Sequence, residues 1–387
     1  VRPKSTRAML LAAHLLPLAT SPLMSQFRPR PGDLLWSYDV GAPLWAPLAY
    51  KDGVLFFGAD DSTFYALNVD AREVEWSFRS GDIIRSGAVV FGGQVMFAGD
   101  DGYLYALDEA TGTEIWRFDM GSRNFDRRRP AADPPYDYDY RQSAPLVHAN
   151  LVLVGTATGD LHAVFRDIGL PAWRFEAGGA IRSSPSTDGR FAFFGSWDEH
   201  AYAVDVETGR LAWSFDTGGI VQGSPATDAG RVIFGSRSAR IFALDATTGA
   251  ELWVHERPDG SWIESSPVIH RDTVYVGTSD SRALYALDAN SGATIWKFDT
   301  GGWSWARPVL ADGKVYIGAL GAAPYGQALS PGFFAVDQHT GELAWSFAPE
   351  AVAGDGYVTG GVYAAAVIAA GVVFVAGVDG RVYALKQ

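Results

Sequence analysis

Apolar residues along this chain fall in short alternating runs separated by brief polar or glycine-containing stretches. Between positions 265 and 298 the runs read SSPVI (265–269), TVYVG (273–277), ALYALDA (283–289) and TIWKF (294–298). Their alternation, with β-branched and aromatic content, predicts strands rather than helices. Four such runs recur as a unit, and successive units end at Trp76, Trp116, Trp173, Trp213, Trp253, Trp296 and Trp345, spaced by 40, 57, 40, 40, 43 and 49 residues. Self-similarity of this period is the signature of a repeat architecture.

Between the third and fourth runs lies D-x-x-[TS]-G, at Asp108–Gly112, Asp205–Gly209, Asp245–Gly249, Asp288–Gly292 and Asp337–Gly341. An aspartate accepting from nearby backbone N–H groups, followed by a glycine free to take positive φ, predicts a tight hairpin. Each unit is therefore a four-stranded antiparallel meander, and a radial array of such units is a β-propeller. The third unit, AVFRDIGLPAW (163–173), lacks the Asp, and the first, NVDAREVEW (68–76), has Arg72 in place of Gly. Different turns are expected there.

The last unit supplies only three strands: AAAVIA (364–369), VVFVAG (372–377) and RVYALK (381–386). An orphan strand, DLLWSYDVG (33–41), places Trp36 40 residues before Trp76. Pairing residues 34–38 with the C-terminal strands completes an eighth blade and removes two exposed sheet edges. The expected fold is all-β: an eight-bladed β-propeller of four-stranded antiparallel blades over 34–387, its last blade closed by the N-terminal Trp strand. Pro145, Pro185, Pro225, Pro267 and Pro308 recur in the first strand of their blades, which suits an edge facing the central channel. The repeat tryptophans are expected to pack between blades.

Ahead of the repeats, Arg2, Lys4 and Arg7 precede the apolar MLLAAHLLPLATSPLM (9–24). Residues 1–25 read as an export signal, with 26–33 a linker. Val1 fits either a truncated chain or a GTG start codon, the latter implying a bacterial source. A net charge of −13 and a pI near 4.9 argue against a nucleic-acid partner. With no cysteine there is no disulfide, thiolate metal site, cysteine nucleophile or lipid-attachment box in the chain as written. The seven histidines show no ligand spacing, and no nucleophile elbow, P-loop or dinucleotide fingerprint is present. The pairs Asp60-Asp61 and Asp100-Asp101 read as solvated turns.

The run [VI]-Y-V-G-x-x-D-x-x-L-Y-A-L-D-x-x-[TS]-G-x-x-x-W-x-F resembles the pyrroloquinoline-quinone (PQQ) repeat family, across residues 34–387. That family includes quinoprotein dehydrogenases, the propeller subunit of the bacterial outer-membrane β-barrel assembly machinery, and kinase sensor domains. The dehydrogenases resemble one another in binding the quinone between a Trp and a disulfide of adjacent cysteines, with a calcium held by Glu, Asn and Asp. Here the cysteines are missing, and Glu264 is the one clear acid near the expected channel.

The position three before each first-strand proline should line that channel. It reads Gln142, Arg182, Gln222, Glu264 and Trp305, with Trp45, Arg85 and Tyr363 as equivalents in the remaining blades. Together with Trp262 and Trp303 this ring suits stacking on a sugar, a ring or a peptide side chain; a polar, water-filled pore is the equal alternative. A second candidate is the insertion at 119–142, where Arg127, Arg128, Arg129, Tyr136, Tyr138 and Tyr140 have the composition of a protein interface; a self-paired or disordered loop is its alternative. A shorter insertion spans 318–332. The resemblance implies an exported, bacterial, non-catalytic scaffold without cofactor, a monomer within a complex, with a protein partner in the cell envelope and peripheral or no membrane contact. A periplasmic ligand-binding or sensor propeller, or a quinoprotein using PQQ and calcium, are the alternatives.

Overall fold

The computed structural model describes residues 29–122, 139–322, 329–352 and 358–387. Within them the repeats form eight antiparallel sheets, the blades of the propeller the period predicts. Blade 1 runs Ala49–Lys51, Val54–Gly58, Thr63–Asn68 and Glu73–Arg79. The pattern repeats over residues 89–119, 146–176, 186–216, 226–256, 268–299 and 309–347 for blades 2 to 7. In every blade the short first strand pairs only with the second and leaves its other edge to the channel.

Blade 8 joins the two ends of the repeat region. Leu34–Asp39 pairs antiparallel with Arg381–Lys386, in a register that sets Tyr38 opposite Val382 and Leu34 opposite Leu385. Val372–Ala376 and Val367–Ala369 complete the sheet. Blade 7 has one addition. Its second strand, Lys314–Ala322, extends far enough for Leu320 to pair with Gly361 of a further strand, Val358–Gly361.

The hydrophobic core is distributed as layers between successive blades, each sheet contributing residues from both faces. Phe64 and Phe97, for example, stack across the joint between blades 1 and 2 with centroids 4.0 Å apart. Such aromatic pairs are worth about 0.5–1.5 kcal/mol beyond the area they bury. The repeat tryptophans lie in these layers, as their periodicity implies. The indole N–H of Trp76 donates to the Glu109 carbonyl at 3.0 Å, that of Trp116 to Arg166 at 2.8 Å, and that of Trp213 to Ala246 at 3.0 Å. Each acceptor lies in the outer turn of the next blade.

Two expectations change. The outer turns of blades 1 and 3 keep the backbone closure of the rest and differ in the side-chain acceptor alone. Arg72 takes positive φ and donates its N–H to Asn68 O at 2.8 Å, as Gly112 does to Asp108 at 2.9 Å. Asn68 Oδ1 accepts from the backbone of Asp70 and Ala71, replacing the Asp. In blade 3 the Gly169 N–H closes on Phe165 O at 2.8 Å with no side-chain acceptor from Phe165. Backbone closure decides the turn, and the Asp adds to it. The recurrent prolines, in turn, sit one residue ahead of the innermost strand, as Pro145 does before Leu146–His148. A residue without an N–H is tolerated there at the strand entrance.

Candidate functional site

The chain enters each innermost strand through the ring position, so eight side chains converge on the axis. All eight expected residues are brought together, and they are closely packed. Trp45, Gln142, Arg182, Gln222, Glu264, Trp305 and Tyr363 are buried, and Arg85 is half-buried.

What holds them is a repeated inter-blade bond. The loop between the second and third strands of one blade reaches the ring residue of the next. From blade 1, Asp60 takes a bidentate contact from Arg85 at 2.6 and 2.8 Å. From blade 5, Arg237 reaches Glu264 at 2.5 Å, with the charges exchanged, and also Gln222 at 3.2 Å. From blade 6, Ser279 Oγ accepts the Trp305 indole N–H at 3.1 Å. Blade 3 has Ala157 at this position, and Arg182 of blade 4 takes Asp139 at 2.5 Å instead.

Asp139 belongs to the segment that plugs the ring. Tyr140, expected on a partner-facing loop, turns inward and is 9% exposed. It stacks on Trp45 with centroids 4.3 Å apart and planes at 9°, while Trp303 stacks on Trp305 at 4.6 Å. Tyr363 meets Trp45 edge-on, and Arg85 lies over Trp45 at 5.1 Å. Leu320, Ala322 and Leu329, from the blade 7 insertion, pack against this aromatic cluster. Trp262 is half-buried beneath Arg237, 4.6 Å from its ring centroid. Arg127, Arg128, Arg129, Tyr136 and Tyr138 lie outside the described residues.

Below the plug the innermost strands line an open cavity of about 470 Å³. Trp45, Arg85, Arg141, Gln142 and Tyr363 form its ring end, and small residues and prolines line its length. Arg141 spans the axis, donating to Ser266 Oγ at 2.7 Å and to the carbonyls of Glu264 and Trp305 at 3.2 Å. Arg307 opens onto the same cavity. Its side chain is exposed to solvent there; partial desolvation by the lumen walls, and then the neighbouring Arg141 charge, lower its pKa. Neither arginine was anticipated, although one signal for Arg307 was present. The residue before each first-strand proline reads Ala144, Ser184, Ser224, Ser266 and Arg307, one large cation among small side chains.

The acidic pairs between the second and third strands are structural rather than solvated. Asp61 Oδ2 accepts the Tyr65 hydroxyl at 2.6 Å, and burial together with this bond pushes Tyr65 up to about 12. Asp101 accepts from Tyr105 at 2.6 Å and from the Gly81 N–H at 2.7 Å. The same pairing recurs at Asp198 with Tyr202 and at Asp379 with Tyr383.

A quinone held against a channel tryptophan needs an open aromatic face and converging carboxylates for its cation. The residues present do not fit that group. Tyr140 covers Trp45, Trp303 covers Trp305, Arg237 neutralises Glu264, and no Asp or Glu lines the cavity.

Eight radial sheets around a plugged axis define a β-propeller of PQQ-like repeats. The family model described as outer membrane protein assembly factor BamB matches residues 10–102, 100–277 and 237–387, and the chain belongs to that family. Among solved structures, BamB from Moraxella catarrhalis is similar, with a TM-score of 0.69 at 17% identity, covering 92% of this chain and 97% of that one. The computationally designed Ika8 protein gives 0.68 at 16%, covering 90% and 98%. Quinohemoprotein alcohol dehydrogenase from Comamonas testosteroni gives 0.68 at 16%, covering 92% of this chain but 76% of its own. At these identities the likeness is one of fold. No individually curated protein matches the sequence.

Proposed function

We propose that this chain is an exported, non-catalytic propeller scaffold of a bacterial envelope, which binds protein partners in outer-membrane protein assembly. The observation that carries the reading is the plugged ring. The position that would face a small substrate is filled by the chain's own Asp139 and Tyr140 and locked by Asp60–Arg85 and Arg237–Glu264. The plug closes the axis at the ring, and the rims and loops are the broad accessible surfaces, which suits a protein partner. Membership of the assembly-factor family, matched over nearly the whole chain, supports the specific role. The export-signal reading of residues 1–25 agrees with a periplasmic protein acting as a monomer within a complex.

In-cell crosslinking of the tagged protein in its native envelope, with identification of the captured proteins, tests this. Outer-membrane barrel-assembly components in the eluate are the expected outcome. Envelope proteins of another class would overturn the assembly role, and an eluate without any protein would overturn the scaffold.

A further inference from the structure

We infer that the channel lumen below the plug is a binding site for a small organic anion, whose carboxylate is held by Arg307 and the hydroxyls of Ser184, Ser224 and Ser266. The inference does not depend on the scaffold reading, which concerns the outer surfaces.

Charge is the first argument. The cavity wall contains three arginines and no Asp or Glu. Arg85 has its counter-charge in Asp60. Arg307, exposed to solvent on the cavity wall and near a second guanidinium, Arg141, makes no hydrogen bond or ion pair with any described residue. The lumen walls, and then the neighbouring Arg141 charge, disfavour its charged form and lower its pKa, while no carboxylate lines the cavity to balance it. An entering anion supplies that balance.

Donor geometry is the second. Ser184 Oγ accepts the Ala144 N–H at 2.9 Å, Ser224 Oγ accepts that of Ser184 at 2.8 Å, and Ser266 Oγ accepts that of Ser224 at 2.9 Å. This chain of bonds runs around the channel from blade to blade and stops at Arg307, the next residue in the series. Each serine is fixed by the hydrogen bond it accepts, Ser266 by a second one from Arg141, while its own hydroxyl hydrogen is spent on no acceptor among the described residues. A bound oxyanion beside Arg307 would therefore meet a guanidinium and O–H donors from this row, the charge-assisted arrangement that recognises carboxylates.

Shape is the third. Pro145, Pro185, Pro225, Val268 and Ile269 give the same cavity an apolar wall. At about 470 Å³ it falls in the range of small-molecule sites. The ligand it fits has an anionic head and a compact apolar body.

Fluorine NMR titration of the full chain with 4-fluorophenylacetate, against the neutral 4-fluorophenylacetamide, tests the site. Saturable binding of the carboxylate, absent for the amide, is expected. Arg307→Ser, which installs the residue found at the equivalent point of blades 4, 5 and 6, should weaken carboxylate binding by about 10- to 100-fold, the loss typical of a charge-assisted contact. Equal binding of acid and amide, undiminished binding by a folded Arg307→Ser, or no carboxylate binding at millimolar concentration would each overturn the proposal. The acid–amide comparison uses the unaltered chain, so a folding defect in the variant does not leave the question open.

Discussion

Gly112, in the outer turn of blade 2, lies so close to Trp76 of blade 1 that a β-carbon built on it would come within 2.4 Å of the indole. The same relation links Gly169 to Trp116, Gly209 to Trp173, Gly249 to Trp213, Gly292 to Trp253 and Gly341 to Trp296. The glycine of the repeat motif thus answers two demands: positive φ in its own turn, and room for the neighbouring blade's tryptophan. Gly112→Ala should destabilise the propeller by about 2–4 kcal/mol, combining left-handed strain with overpacking. Gly93, at φ +78 but with nothing within 4 Å of a built β-carbon, isolates the first part. Gly93→Ala should cost only about 1 kcal/mol. Urea unfolding of both variants checks this, and equal costs would remove the inter-blade role.

Blade 1 shows the limit of the rule. Its turn carries Arg72 at φ 58 and belongs over Trp36 of the closing blade, and the guanidinium lies 5.8 Å from that ring's centroid. Where the motif glycine is lost, a long cation covers the indole from the side.

The ion pair Arg237–Glu264 gives a second prediction. Its side chains are 7% and 3% exposed, and it joins blade 5 to the ring position of blade 6. Removing one partner strands a buried charge. Arg237→Met alone should therefore cost about 3–5 kcal/mol, whereas Arg237→Met with Glu264→Leu should recover most of that loss. A double-mutant cycle in urea reads the coupling directly, and additive losses would show that the pair is not a unit.

Much of this fold was legible in the sequence because it is written in period. The spacing of Trp36, Trp76 and their successors identifies both the blades and the strand that closes the ring, since a repeat must satisfy the same contacts at every joint. The ring positions were legible for the same reason. Their partners were not: Asp60, Arg237 and Ser279 occupy equivalent points yet share no chemistry, so no pattern announces them. The plug was hidden more deeply. Tyr140 looked like an interface residue in a charged insertion, and only the three-dimensional path of residues 139–141 brings it back onto Trp45. Arg307 stood out against the small residues of its neighbours, but only the shared lumen shows what that difference does.

His162 makes stability depend on pH. It is 8% exposed, its Nε2 lies 3.1 Å from Met120 O, and burial lowers its pKa below the ordinary 6.5. The unfolded chain therefore binds the proton more readily than the folded one. Stability contributed by the neutral ring is present above the unfolded pKa and is lost as pH falls from there toward the depressed folded value. His162→Gln removes this dependence. The stability difference between wild type and variant should thus move against the wild type between about pH 8 and about pH 5. Thermal unfolding at the two pH values checks this, and a constant difference would assign the acid sensitivity elsewhere.

The last prediction concerns the joint where the circle closes. Six repeat indoles donate to a carbonyl in the next blade's outer turn, but Trp345 Nε1 is buried without an acceptor among the described residues. The cause is topological. The neighbour of blade 7 is blade 8, whose outer two strands come from opposite ends of the repeat region, so no hairpin turn exists there to offer the carbonyl. Gly32 takes the place of the motif glycine at φ +87, and a β-carbon on it would lie 3.0 Å from the Trp345 ring, so shape is conserved while the hydrogen bond is not. Trp213→Phe removes ring area and also the bond to Ala246 O, whereas Trp345→Phe removes area and an N–H that has no acceptor among the described residues. Trp345→Phe should therefore be the milder change by about 1 kcal/mol or more. Equal losses in urea unfolding would mean that the indole bonds contribute nothing net, and that the repeat tryptophans act through packing alone.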